Sequence, residues 1–392
     1  MRILYATPGY KPAYRIGGPI LSVSAAAERL VRKGHEVTVV TTNANLDQDV
    51  DVPLAQPVDV EGVTVWYFRR EEPLRKWLPF VPYLSRSMGY MYAPELRAAL
   101  DRLVPQHDVV DTQMPFVYPT YAASRAALRH HKPLFYHQRG NYLDTHLGRR
   151  RLKKDVFIRL FEKPVMRRAT ALIALTGAER DAFAAVSPGT LCEVVPNGID
   201  IPPIDPSAAA RVESRHGIPR DAQLILYLAR LHPWKGADEL LGAFAILQRE
   251  FPKLWLVMAG ADECDARTRW AGTERVLFPG VIGGEVKADL LQRADVFSLP
   301  SQGEGLSMAI LEAMANRTAL VLSPGCHFPE AEEVGAGVIA AKDASAIAAA
   351  MRELLRDPAR LAAMGEAGRK HVEQKYSWDV VADRLIDVYS RR

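Results

Sequence analysis

The stretch "DVFSLPSQGEGLSMAILEAMA", residues 295–315, decides the fold. It opens on a short apolar run, passes through Pro, Ser and Gly, and enters an apolar segment that contains Glu304 and Glu312. A run bounded by turn residues and followed by a longer apolar segment predicts strand, loop and helix. The two glutamates are eight positions apart, a little over two helical turns, so they fall near one helix face. The loop boundary puts Glu304 just before the helix and Glu312 two turns into it. A carboxylate on an apolar helix is costly unless something holds it. Gly305, Leu306 and Ser307 supply unpaired amide N–H groups at the helix start, where a phosphate can sit. Glu304 can then accept sugar hydroxyl protons and Glu312 a vicinal diol. The bland alternative is a cap at Glu304 and a surface ion pair at Glu312. The "AILEAMA" context makes Glu312 partly buried and weakens that alternative.

Working outward, the same grammar recurs through the chain. "QLILYLAR", "LWLVMAG", "RVLFPG", "ALVLS" and "GVIA" read as further strands of the second half. In the first half "RILYAT", "HEVTVVT", "VTVWYF", "DVVDTQ", "PLFYH", "ALIAL" and "CEVVP" do the same, with a helix expected over residues 19–33. Strands alternating with helical stretches predict parallel sheets wrapped by helices. The Pro- and turn-rich "PNGIDIPPIDPS", residues 196–207, reads as a linker. The expected architecture is therefore α/β, two Rossmann-like doubly wound parallel-sheet domains facing a central cleft. Residues 1–196 form the first, completed by a C-terminal helix over 377–392, and residues 197–376 form the second. Open α/β sheets bind ligands at the carboxyl ends of their strands.

Bulk properties agree. The 392 residues exceed what one core usually fills. A formal charge of +4 suits phosphate ligands or an anionic membrane and is too weak to argue for nucleic acid. Cys192, Cys264 and Cys326 are scattered without metal-type spacing, which fits a reducing compartment. "MRILYATPGY" begins directly in a strand-like run, so no signal peptide is expected, and no apolar run is long enough for a bilayer span.

Two further turns carry chemistry. Gly17 and Gly18, followed by Pro19, open a helix after the first strand. Glycines there allow close backbone approach to a phosphate, or simply make a loop. No G-x-G-x-x-G follows that strand, which counts against a nicotinamide enzyme. In "ARLHPWKGADELL", Arg230 and Lys235 follow the first strand of the second half. They can neutralise a diphosphate, Arg as a fork and Lys as a point charge, or stand as solvated surface cations.

Together these residues resemble the retaining glycosyltransferases of family 4, which have the GT-B fold. The resemblance runs through the "GGP" loop, "GHEVTVVTT", "ALTGAERDAF", "VPNGID", "ARLHPWKG", "LPSQGEGLSMAILEAMA" and "YSWDVVADRLIDVYS". It implies that Glu304 contacts hydroxyls of the transferred sugar, Glu312 the ribose, and Arg230 and Lys235 the diphosphate. It adds Gly17, Gly18, Gly305, Leu306, Ser307 and Val281 to the donor side. His137, in "PLFYHQRGNY", would face the transferred sugar, and a satisfied structural histidine is the alternative. Arg139 and Tyr142 would face the acceptor. Arg317 and Ala319 replace the family's usual Gly and Pro after the second glutamate, and "SPGCHFPE" replaces a Gly-rich loop while keeping Pro329 and Glu330.

The GT-B class implies no metal, with protein cations doing that work. The Asp49–Asp51 "DVD" lies in an acidic loop without flanking strands and reads as solvated. The basic and aromatic residues 69–92 and the basic residues 148–154 either seat the first domain on an anionic membrane or form a solvated face with core aromatics. The expected partners are a nucleotide-sugar donor and a glycan or lipid-linked glycan acceptor. The expected location is the cytoplasm, at the inner face of the plasma membrane if those basic segments bind lipid. The implied reaction is transfer of a hexosyl unit from a UDP- or GDP-sugar in cell-surface polysaccharide or lipopolysaccharide synthesis. The competing readings are a sugar-nucleotide epimerase or phosphorylase on the same scaffold, and an inactive scaffold that binds a partner transferase.

Overall fold

The computed structural model describes residues 1–71, 91–137, 139 and 158–391. Its residues form two compact units, Met1–Gly198 with Trp378–Arg392, and Ile199–Ser377.

In the first unit the strands are β1 (Arg2–Ala6), β2 (Glu36–Thr42), β3 (Ala44–Asn45), β4 (Gln48–Asp49), β5 (Pro57–Val60), β6 (Val63–Phe68), β7 (Val109–Gln113), β8 (Leu134–His137), β9 (Ala171–Ala174) and β10 (Cys192–Val194). The main sheet runs β10-β9-β8-β7-β1-β2-β6-β5. It is parallel except at its edge, where β5 pairs antiparallel with β6. The order of strands reverses between β1 and β7, the doubly wound arrangement with its switch point there. Central strands such as β7 and β8 are buried along their whole length, as a sheet covered on both faces requires. The expected helix forms over Gly18–Arg32. The short hairpin of β3 and β4 and the edge strand β5 were not anticipated, and Asp49 of the "DVD" run therefore ends a strand. Its carboxylate pairs with Arg70 at 2.8 Å.

The helix Trp378–Ser390 belongs to this unit. It buries Trp378, Val381, Ala382, Leu385, Val388 and Tyr389, a spacing that keeps them on one face. That face joins the same hydrophobic core as Ile3, Tyr5, Val39 and Phe135. At its end the Tyr389 hydroxyl donates to the buried Asp111 carboxylate and lies 3.1 Å from the Tyr5 hydroxyl. The Phe135 ring meets Tyr389 edge-on at 4.9 Å. Arg29–Asp379 and Lys33–Asp383 are exposed ion pairs that contribute at most about 1 kcal/mol each.

The second unit holds β11 (Gln223–Leu228), β12 (Leu254–Ala259), β13 (Val276–Gly280), β14 (Val296–Leu299), β15 (Ala319–Leu322) and β16 (Gly337–Ile339). All pair in parallel in the order β13-β12-β11-β14-β15-β16. This is the 3-2-1-4-5-6 order of a dinucleotide-binding-type sheet, with its switch point between β11 and β14. Among the described residues no helix is long and apolar enough to cross a membrane.

Candidate functional site

In the second unit the loops after β11 and β14, the two strands at the switch point, are laced together. Gln302 N–H donates to the Trp234 carbonyl at 2.8 Å, and the Trp234 indole N–H reaches the Gly303 carbonyl at 3.3 Å. Gly236 has φ +75°, and a Cβ there would lie 2.1 Å from the Pro300 carbonyl oxygen, so only glycine lets the two loops approach this closely. Gly325, from the loop after β15, also packs closely, a Cβ there lying 2.4 Å from the Ser301 carbonyl oxygen, and its carbonyl accepts the Glu304 N–H at 2.9 Å. His327 Nδ1 lies 3.1 Å from the Glu304 carbonyl oxygen. The "SPGCHFPE" loop thus braces the backbone of Glu304 from behind.

This lacing brings two of the anticipated residues into contact. Lys235 Nζ donates to Glu304 Oε1 at 2.6 Å, with both side chains largely buried. Arg230 is more open and pairs with Glu263 at 2.7 Å. The helix after β14 starts only at Met308, with Ser307 as its extended N-cap residue. Glu304 therefore lies before the helix, as its sequence context implied, and one expectation is corrected: Glu312 sits one turn in, not two. The loop Ser301–Ser307 is held by its neighbours through the backbones of Gln302, Gly303 and Glu304, which delays the helix start to Met308. Among the described residues the N–H groups of Gly305, Leu306 and Ser307 have no hydrogen-bond partner. Glu312 is partly buried, and Lys287, from the helix Gly284–Arg293, reaches its Oε1 at 2.7 Å. The burial argued from "AILEAMA" and the ion pair set against it therefore coexist. Val281, just after β13, is 78% exposed.

Glu330 has a different job. Burial raises its pKa, but hydrogen bonds from His371, Lys375 and Tyr376 outweigh this and hold it at about 2. It ties its short helix to the helix Pro358–Lys375.

In the first unit, the Gly17–Gly18 turn has φ +99° at Gly17, and a side chain at either glycine would meet nothing within 4 Å. The backbone is open there. His137, at the end of β8, is only 3% exposed. Its Nδ1 lies 3.9 Å from Asp111 Oδ2, and among the described residues neither ring nitrogen makes a hydrogen bond. Among the described residues it is thus buried without a hydrogen-bond partner. Burial, with the nearby Arg139 charge, lowers its pKa to about 4 despite Asp111, so the ring is neutral at pH 7. Arg139 was expected to face an acceptor. In the structure its guanidinium donates to Gln113 at 2.7 Å, Ser22 at 3.0 Å and Asn197 at 2.5 Å. These join β7, the first helix and the "PNG" turn. Tyr142, residues 148–154 and most of 69–92 lie outside the described residues.

Sequence reasoning missed Lys287, Glu263, Asp111 and His327. Lys287 lies 25 residues before Glu312, with no local pattern to link them. Asp111 was legible only as a polar interruption of the strand "DVVDTQ".

Two family models match this chain. Residues 210–371 match the model described as glycosyl transferases group 1, and residues 17–198 match the glycosyl transferase 4-like domain. Together the two models span most of the chain, which is thus built of a glycosyl transferase 4-like domain followed by a glycosyl transferases group 1 domain. A GDP-mannose-dependent alpha-(1-6)-phosphatidylinositol monomannoside mannosyltransferase of Mycolicibacterium smegmatis is 33% identical over 230 residues, 54% of this chain and 60% of that protein. A D-inositol 3-phosphate glycosyltransferase of Kineococcus radiotolerans is 32% identical over 260 residues, 59% of each. The alignments span little more than half the length of these curated relatives. Among solved structures, Anabaena HepE in complex with UDP-glucose superposes with a TM-score of 0.73 over 100% of both chains at 20% identity. Sucrose-phosphate synthase of Thermosynechococcus elongatus gives 0.70 at 19% identity, over 100% of this chain and 98% of that one. The fold is GT-B, with two Rossmann-like domains.

Proposed function

We propose that this protein is a retaining glycosyltransferase. It moves a hexosyl unit from a nucleotide-diphosphate sugar to a hydroxyl of a glycan or lipid-linked glycan. The observation that carries the reading is the contact of Lys235 with Glu304 at the switch point of the second unit. A cation and a carboxylate held together beside three unpartnered amides suit a diphosphate joined to a hydroxylated ring. An ammonium has three donors, so Lys235 can keep Glu304 and still reach a phosphate oxygen. Arg230 supplies a second cation once a diphosphate competes with Glu263. Glu312 takes the ribose.

In this mechanism the acceptor oxygen attacks the anomeric carbon on the face the diphosphate leaves. The bond from that carbon to the diphosphate oxygen breaks, and its electron pair departs with the nucleotide. A leaving phosphate oxygen takes the acceptor proton. Arg230, Lys235 and the Gly305–Ser307 amides stabilise the charge that develops on the phosphate, usually the largest catalytic contribution. No metal is required.

Two relatives are named for GDP-mannose and a structural neighbour for UDP-glucose, so both bases are candidates. Relatives are named for phosphatidylinositol mannosides and for D-inositol 3-phosphate, so a glycolipid and a phosphorylated inositol are both candidate acceptors, the first implying action at a membrane surface. The test is a thermal-shift screen of UDP, GDP and their sugars, followed by transfer to phosphorylated inositol and lipid-linked acceptors. A ligand at about 100 times its Kd adds about 2.7 kcal/mol, a shift easily read. Stabilisation by none of these nucleotides would refute the reading. Product formed without any acceptor would replace it with an epimerase.

A further inference from the structure

Lys287 belongs to no motif identified in the sequence. Its ammonium lies 2.7 Å from Glu312 Oε1, and both side chains are partly buried. Lys287 is in the first turn of the helix Gly284–Arg293, and Glu312 is on the helix Met308–Ala315. Among the described residues, Glu312 Oε2 makes no hydrogen bond. The Glu312 backbone is fixed separately, since its carbonyl accepts the Asn316 side-chain amide at 2.8 Å. The pair therefore leaves one carboxylate oxygen held and the other open.

Such an arrangement is selective. A free carboxylate on a helix samples several rotamers, and burying it without a partner is costly. A cation on one oxygen fixes the plane of the group and leaves the other to accept. A vicinal diol presents two O–H donors that a single fixed carboxylate can meet. We propose that Lys287 is the positioning residue for ribose recognition, holding Glu312 so that its free oxygen takes the 2′,3′-diol of a nucleoside diphosphate. This rests on the reading of Glu312 as the ribose contact. Lys287 itself touches neither the phosphates nor the base in this arrangement, which separates it from Arg230 and Lys235.

The test is calorimetry of UDP and GDP, and of their 2′,3′-dideoxy counterparts, on the full-length protein and on Lys287→Met, Lys287→Arg and Glu312→Gln. Methionine keeps the length and apolar stem of lysine, and the arginine variant restores the charge. Lys287→Met should weaken the ribonucleotide about five- to tenfold and the dideoxy nucleotide less than twofold, with most of the loss recovered in Lys287→Arg. Equal weakening of both nucleotides by Lys287→Met would overturn the proposal, because it would place Lys287 on the phosphates or the base. Unchanged binding in Lys287→Met, with Glu312→Gln still selectively weakening the ribonucleotide, would overturn the positioning role alone and leave the ribose reading standing. Glu312→Gln without effect on the ribonucleotide would sink that underlying reading instead.

Discussion

The Lys235 ammonium donates to Glu304 Oε1 at 2.6 Å, so the group assigned to the leaving phosphate and the group assigned to the sugar are already in contact. Removing the lysine takes away a charge stabiliser and strands a largely buried carboxylate. Lys235→Ala should lower turnover by about 10²–10³. Steady-state transfer assays check this, and turnover within threefold of the unaltered protein would remove Lys235 from the phosphate clamp.

The two glutamates should separate by ligand. Glu312→Gln should weaken a bare nucleoside diphosphate by about tenfold or more, the scale of a charge-assisted hydrogen bond. Glu304→Gln should leave that ligand nearly unaffected and impair transfer. Calorimetry with the same nucleotides on both variants decides it. Equal losses of nucleotide affinity would make both residues supports of one nucleotide pocket.

Chelation should leave transfer intact. Asp49→Asn combined with Asp51→Asn should alter activity little, since the Asp49–Arg70 pair is partly exposed and contributes at most about 1 kcal/mol. Activity abolished by chelator and restored by manganese would contradict metal-free catalysis.

Gly236→Ala tests the lacing of the loops. The added methyl needs φ +75° and meets the Pro300 carbonyl oxygen, so a loss of stability of about 1–3 kcal/mol is expected. Nucleotide affinity should fall with it, because Lys235 is the preceding residue. A variant with unaltered melting temperature and unaltered affinity would show that the close approach is dispensable.

Acid should loosen the second unit through Glu330. Its folded pKa of about 2 lies below the ordinary glutamate value of about 4.3, so its contribution is complete above the latter and disappears as pH falls toward the former. At pH 7 Glu330→Gln should cost about 1.5–3 kcal/mol. Denaturant unfolding at several pH values should show the gap between variant and parent closing toward pH 2. A gap independent of pH would assign the loss to shape rather than charge.

The strands were legible wherever apolar, β-branched runs were bounded by turn residues, as in "QLILYLAR" and "HEVTVVT". The hairpin of β3 and β4 was not, because two-residue strands carry no period. The edge strand β5 was hidden for a related reason: "PVDV" starts with proline and alternates exposed and half-buried residues, so it lacks a buried run. At the site, Arg230, Lys235 and Glu304 stood out because each lies between a strand and the helix after it, and Glu312 because it interrupts the apolar run "AILEAMA". Partners brought in from elsewhere did not. Lys287 and His327 look like ordinary loop and helix residues until the sheet order sets them beside the glutamates. The donors of Arg139 to Gln113, Ser22 and Asn197 were likewise invisible, because the three acceptors come from distant parts of the sequence.

The first unit is not one continuous length of chain. Its core is closed by Trp378–Ser390, and the Asp111 carboxylate at its centre depends on the Tyr389 hydroxyl. During synthesis the second unit is therefore made in full before the first can be finished. Domains that form from the amino end as they emerge from the ribosome have no such delay. The nascent first unit must wait with an open apolar groove along Val381, Leu385 and Val388's eventual seat. A premature stop near residue 377 would leave that groove permanently bare. The same lesion would spare the second unit, which ends at Ser377. Chaperone dependence and sensitivity to 3′ truncation of the message would then fall on the unit encoded first.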